Sequence, residues 1–106
     1  MSEKTMIMII ENGMQVVVRQ VWKFKIAGKG ETVVEMPVGS DVLCCKWQDD
    51  SLCIWALVFP WNGLEERKFG VYFTGEDIEH SCDKDLFVDT VLVEDGLFVL
   101  HVFEVR

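Results

Sequence analysis

Few groups in this chain have types suited to acid–base, nucleophilic or metal chemistry, and their spacing serves none of these well. His101 sits in the apolar stretch 97–105, LFVLHVFEV. A general acid or base needs a partner that sets its pKa. The expected cross-strand neighbour of His101 is Thr90, whose hydroxyl satisfies a ring nitrogen and supplies no charge. His80 and Cys82 lie in the polar segment 75–85, GEDIEHSCDKD, among Glu76, Asp77, Glu79, Asp83 and Asp85. The atoms suit a divalent cation. The spacing, however, gives neither a calcium loop with its required glycine and terminal glutamate nor a tetrahedral zinc set. The segment reads as an acidic surface loop, and no metal or cofactor is expected.

Nucleophilic chemistry fares no better. The four cysteines are Cys44, Cys45, Cys53 and Cys82, with no C-x-x-C pair. The first three lie in apolar strands, where burial raises the thiol pKa, and acidic neighbours do the same for Cys82. Cys44 and Cys45 are adjacent in a strand and point to opposite faces. Reduced, structural thiols are expected, and no enzyme is read from the sequence. The remaining chemistry is recognition. Trp61 occupies the turn Pro60-Trp61-Asn62-Gly63, either folded back on the core or placed to stack on a ligand or partner. Arg67 and Tyr72 lie close in sequence and would complete a stacking-plus-cation site for a nucleotide-like ligand. Arg19, Lys23 and Lys25 are the other cations available to phosphate.

The elements that must position these residues are strands. Residues 52–59, LCIWALVF, form an uncharged run without alternation, closed by Pro60. It is too short for a typical helix and reads as a strand buried on both faces, central in a sheet with layers above and below. Residues 41–48 pair with it around Asp49-Asp50. A two-residue loop sets Cys45 opposite Ile54, Trp47 opposite Leu52, Leu43 opposite Ala56, Cys44 opposite Trp55 and Lys46 opposite Cys53, although Asp-Asp lacks the glycine that a type I′ turn prefers.

Residues 16–26 alternate as one long strand with Trp22, Phe24 and Ile26 on the core face. Its outward Lys and Arg discourage edge-to-edge aggregation. Asn12-Gly13 marks a tight N-terminal hairpin. Residues 31–36 form another strand. Residues 68–74 carry Phe69, Val71 and Phe73 on one face and Tyr72 on the other, and Gly70 within them signals a bulge or an aromatic lying over the backbone. Asp95-Gly96 closes a final hairpin with Val93 opposite Phe98, Val91 opposite Leu100, Thr90 opposite His101 and Val88 opposite Phe103. Seven or eight short strands at intervals of about ten residues, with no helix, predict an all-β fold: a small antiparallel β-sandwich or partly closed barrel. The 106 residues read as one domain, 1–20 being a hairpin extension and 21–106 the core.

The formal charge of −8 is uneven: residues 1–64 hold 7 acids against 6 Lys/Arg, and residues 65–106 hold 11 against 4. An acidic half argues against nucleic-acid binding and permits an acidic face offered to a basic partner. The N-terminal segment does not read as a secretory leader, and no apolar run approaches the ~20 residues of a membrane span. A cytoplasmic protein is expected.

The segments VWKF (21–24), EMPVGSDVL (35–43), CIWALV (53–58), RKFGVYFTG (67–75) and LHVFEV (100–105) occur in this order over about four fifths of the chain. On these the chain resembles a family of small, uncharacterised β-domain proteins of bacteriophages and prophages. The resemblance implies a phage protein at work in the host cytoplasm, with no assigned activity to transfer. Small acidic phage proteins resemble host-takeover or anti-defence factors that act by binding. The expectation is therefore a non-enzymatic binder of a host protein, with homo-oligomerisation compatible. The alternatives are a sponge for a small nucleotide signal and a minor virion component.

Overall fold

The computed structural model describes residues 8–11, 14–79 and 86–106. The described residues form nine strands: β1 (Met8–Glu11), β2 (Met14–Val17), β3 (Gln20–Ile26), β4 (Gly30–Pro37), β5 (Asp41–Gln48), β6 (Ser51–Val58), β7 (Leu64–Phe73), β8 (Phe87–Val93) and β9 (Phe98–Val105). β1 and β2 form a separate antiparallel hairpin. The other seven make two antiparallel sheets, ordered β3-β6-β5 and β4-β7-β9-β8. The fold is all-β, a sandwich whose sheets do not close into a barrel. Among the described residues there is no helix, and hence none long and apolar enough to cross a membrane.

Period-2 alternation places one face of each sheet inside. Ile26, Cys45, Leu52 and Ile54 of the smaller sheet meet Met36, Phe69, Val71 and Val102 of the larger. β6 is central in its sheet, as its apolar run predicts, but only one layer packs on it. Its outer face carries Cys53, Trp55 and Leu57. Cys53 is buried, whereas Trp55 and Leu57 are half-exposed. Among the described residues the outer cover is side chains of the same sheet. Lys23 Nζ reaches from β3 to Gln48 Oε1 of β5 at 2.9 Å.

The stretch 16–26 is not one strand. β2 stops at Val17 and β3 starts at Gln20, whose partner Val58 is the last residue of β6. Beyond Val58 the outgoing chain has no neighbour in the sheet, so pairing passes to β1 instead.

Both tight turns form where expected. Asp49 and Asp50 take φ of 51° and 59°, so two aspartates supply the left-handed conformations that glycine would supply more cheaply. Asp95 and Gly96 take 57° and 88°, with Leu97 N–H donating to Glu94 O at 3.1 Å. Near these turns the registers are as expected, including Cys45↔Ile54 and Thr90↔His101. Farther out they are not. Val42, rather than Leu43, sits opposite Ala56, and Phe87, rather than Val88, opposite Phe103, because each strand carries a bulge.

The bulges have a physical reason. β5 and β8 are edge strands of different sheets that approach each other. There Asp89 Oδ2 accepts Cys45 N–H at 3.1 Å and meets Lys46 Nζ at 3.1 Å. Local twist from a bulge re-aims an edge, and a carboxylate stops the exposed ladder. The opposite seam, between the edges of β3 and β4, has no such bolt among the described residues.

Candidate functional site

Arg67, Phe69, Val71 and Phe73 share the inner face of β7, while Tyr72 points outward. Arg67 and Tyr72 therefore cannot form one site. Arg67 is fully engaged at the 38–40 end of the sandwich. Its Nε and Nη2 donate to the two oxygens of Glu104, the latter at 3.1 Å, and Nη1 donates to Ser40 O at 2.9 Å. Glu65 Oε2 lies 3.5 Å from Nη1 and also accepts Gly39 N–H at 3.3 Å. The bonds from Glu104 push the Arg67 pKa up further, so the cation is permanent and held by acids. Two cavities of about 510 and 550 Å³ flank this pair, and both are lined by Arg67, Glu104 and Arg106. A guanidinium whose donors already meet carboxylates and a carbonyl has little left for phosphate.

Trp61 lines neither cavity. Its turn is stapled to the 38–40 loop by Asn62 Nδ2 donating to Val38 O at 2.8 Å and Val38 N–H donating to Gly63 O at 2.8 Å. The indole nitrogen is buried, without a hydrogen-bond partner among the described residues. Trp61 is thus folded back rather than displayed. Tyr72 lies over Gly70 on the outer face, in edge contact with Phe103, which in turn meets Phe87.

His101 projects from the same outer face. Thr74 Oγ1 is 2.7 Å from its Nε2 and Thr90 Oγ1 is 3.1 Å from its Nδ1. Both ring nitrogens thus have a hydroxyl partner, each of which can donate or accept. Among the described residues no carboxylate orients it, so the geometry is that of a satisfied strand histidine. In the acidic segment, Glu76, Asp77 and Glu79 are exposed, while His80, Cys82, Asp83 and Asp85 lie outside the described residues. Among the described residues no group of His, Cys, Asp and Glu is assembled for a metal ion.

Cys44 and Cys45 face opposite sides, the former half-exposed and the latter buried. Burial, then the charge of Asp89, pushes the Cys45 thiol up to about 12. Between the ordinary value of 9.0 and about 12 the folded chain retains a proton that the unfolded chain has lost. This contribution to stability is complete below 9.0 and is lost as pH rises through that window. Urea midpoints under reductant should accordingly fall across it. A Cys45→Ala variant should show a shallower fall than the parent, and an equal fall would refute the assignment.

The arrangement that sequence reading missed lies at the other end. Antiparallel order brings the turns 27–29, 49–50, 74–75 and 94–97 to one end. Three aromatic residues beside them converge there: Trp47 of β5, Phe73 of β7 and Phe98 of β9, exposed by 38%, 37% and 43%. They line a cavity of about 210 Å³ with Gly28, Glu94 and a floor of Val93 and Leu100. The Phe73 and Phe98 rings are 6.3 Å apart and tilted by 44°. Lys29 Nζ sits 5.9 Å from the Phe73 centroid, near enough for a cation–π contact at the rim. The signal in the sequence was an aromatic at a strand terminus beside three of these turns. An apolar floor, an aromatic wall and one charge of each sign at the lip can hold an apolar side chain and orient the backbone that bears it.

Residues 17–106 match the family described as Domain of unknown function (DUF7352). The chain belongs to this family. The match begins at the last residue of β2, so it takes in both sheets and leaves out almost all of the N-terminal hairpin. No curated protein and no solved structure matches the chain.

Proposed function

We propose that this DUF7352 protein is a non-enzymatic binding module whose aromatic mouth grips an apolar anchor side chain of a partner protein. The observation that carries this reading is the convergence of Trp47, Phe73 and Phe98 on a 210 Å³ cavity with an apolar floor. Clefts that take whole small molecules run to roughly 300–1,000 Å³, so the mouth is scaled to one side chain. Aromatic pockets that accept a single anchor are where protein interfaces concentrate their energy. The resemblance to phage proteins makes a host cytoplasmic protein the proposed partner, and host takeover or defence evasion the proposed consequence. The nucleotide-sponge reading is the weaker one, because Trp61, Arg67 and Tyr72 do not meet and Arg67 is held by Glu104 and Glu65.

The test is affinity capture from bacterial cytoplasm, comparing the parent chain with Trp47→Ala and Phe98→Ala. The melting temperatures of all three are checked first. A partner retained by the parent and lost with either variant supports the mouth; truncating a central anchor contact costs about 2 kcal/mol, roughly 30-fold in affinity. Equal retention by all three chains would place the interface elsewhere. A nucleotide-sized mass retained in native mass spectrometry would instead revive the sponge.

A further inference from the structure

The two seams of the sandwich are built differently. At β5/β8 both edges carry bulges, and Asp89 bolts them together. At the other seam, among the described residues, β3 pairs only with β6, and β4 only with β7, and neither pairing contains a bulge. Each of these open edges also presents a valine on its outer face: Val21 is 55% exposed and Val33 is 53% exposed. Regular edges with exposed β-branched residues are templates for strand addition, and the outward lysines of β3 restrict that addition to an acidic strand.

The charges select what can be added. Along the outer face β3 reads Val21, Lys23, Lys25, with Arg19 just before the strand, and β4 reads Glu31, Val33, Glu35. Pairing β3 with a second β3, or β4 with a second β4, would oppose like charges. Pairing β3 with the β4 of another copy opposes Lys23 to Glu31 and Val21 to Val33, brings Arg19, just before β3, to Glu35, and leaves Lys25 opposite the 27–29 turn. Like charges opposite one another destabilise a ladder, and unlike charges with an apolar pair between them stabilise it. A second observation points the same way. Glu35 stands directly across from Glu66 within its own sheet, and among the described residues neither carboxylate has an ion pair.

We infer that the open seam is a self-association surface occupied by a second copy of this chain. A two-fold axis parallel to the strands sets β3 antiparallel to the partner's β4 and β4 antiparallel to the partner's β3. Each sheet then continues into the opposite sheet of the other copy, and the contact closes on itself. Arg19 turns from its exposed, 3.8 Å contact with Asp41 and from the Phe59 ring, 5.6 Å from its guanidinium, to Glu35 of the other copy. The inference is independent of the aromatic mouth.

Sedimentation equilibrium of the full chain tests it. The parent should run at twice the chain mass, dissociating on dilution. Lys23→Glu and Glu31→Lys should each be monomeric alone, because each opposes like charges at both copies of the contact. Mixed together they should form a heterodimer, because the first variant then carries glutamate and the second lysine at positions 23 and 31, so that both contacts have their charges matched. Because Glu31 also pairs with Lys68, the set is repeated with Arg19→Glu and Glu35→Arg. A monomeric parent, dimers that survive these reversals, or mixtures that stay monomeric while the variants keep the parent's melting temperature would each overturn the inference.

Discussion

Replacing Arg67 with methionine should lower the unfolding free energy by about 3 kcal/mol, the low end for removing one partner of a buried ion pair. The guanidinium links β7, β9 and the 38–40 loop through Glu104, Glu65 and the Ser40 carbonyl. Methionine fills similar volume but leaves Glu104 desolvated at 8% exposure with no counter-charge. A domain of this size should melt lower by more than about 10 °C. Changing Glu104 to leucine in the same chain should recover most of the loss, since an apolar pair avoids the desolvation that the ion pair only offsets. Urea denaturation of the single and double variants measures both. A ligand-binding arginine would behave otherwise: its loss would spare the fold, and no change at Glu104 would compensate.

The second large effect is expected at Gly70. Its backbone is ordinary strand, so alanine meets no conformational penalty. The obstacle is Tyr72, which lies across it. A Cβ at position 70 would stand 2.7 Å from the Tyr72 hydroxyl oxygen and 2.9 Å from a ring carbon. The ring is buried and held by Phe103, so it yields only by giving up packing. Overpacking of this kind costs about 1–3 kcal/mol. In a Tyr72→Leu background the same Gly70→Ala change should cost less than about 0.5 kcal/mol, leaving the difference as coupling energy in a double-mutant cycle. Equal costs in both backgrounds would mean that the glycine answers some other need.

That aromatic-over-glycine contact was legible in the sequence, because glycine weakens a strand interior and is kept there where a bulge or a ring crosses the backbone. Hairpin registers were legible for a related reason. Asp49-Asp50 and Asp95-Gly96 count the residues on either side, and a period of two does the rest. What lies far from a turn escaped that arithmetic. The slips at Leu43 and Val88 arise where two edges from different sheets meet at Asp89, and nothing local to residues 41–48 announces that meeting. The break at Val18-Arg19 has the same origin: alternation continues through it, and only the end of β6 dictates that pairing must stop.

The site was harder. Parity alone separates Arg67 from Tyr72, since odd and even positions of one strand cannot share a face. Grouping them by closeness in sequence overrode that information. Phe73 and Phe98 become neighbours only once the order β4-β7-β9-β8 is known, and Trp47 joins them only when the sheet β3-β6-β5 packs on it; strand order across long connections is the least local property of a sheet. His101 proved simpler, because its Thr90 neighbour follows from the hairpin, although Thr74 does not.

The order of strands also bears on synthesis. β3, β5 and β6 are all in hand by Val58, so the smaller sheet can form early. Its inner face of Ile26, Leu52 and Ile54 then waits for β7, β8 and β9. At ~5–20 residues per second the rest of the chain takes roughly 2–10 s to emerge from the ribosome. During that interval a finished sheet stands with a bare apolar side, while β4 hangs beside it with no strand to join. The nascent half-sandwich is thus the stage at which this fold has most need of a chaperone.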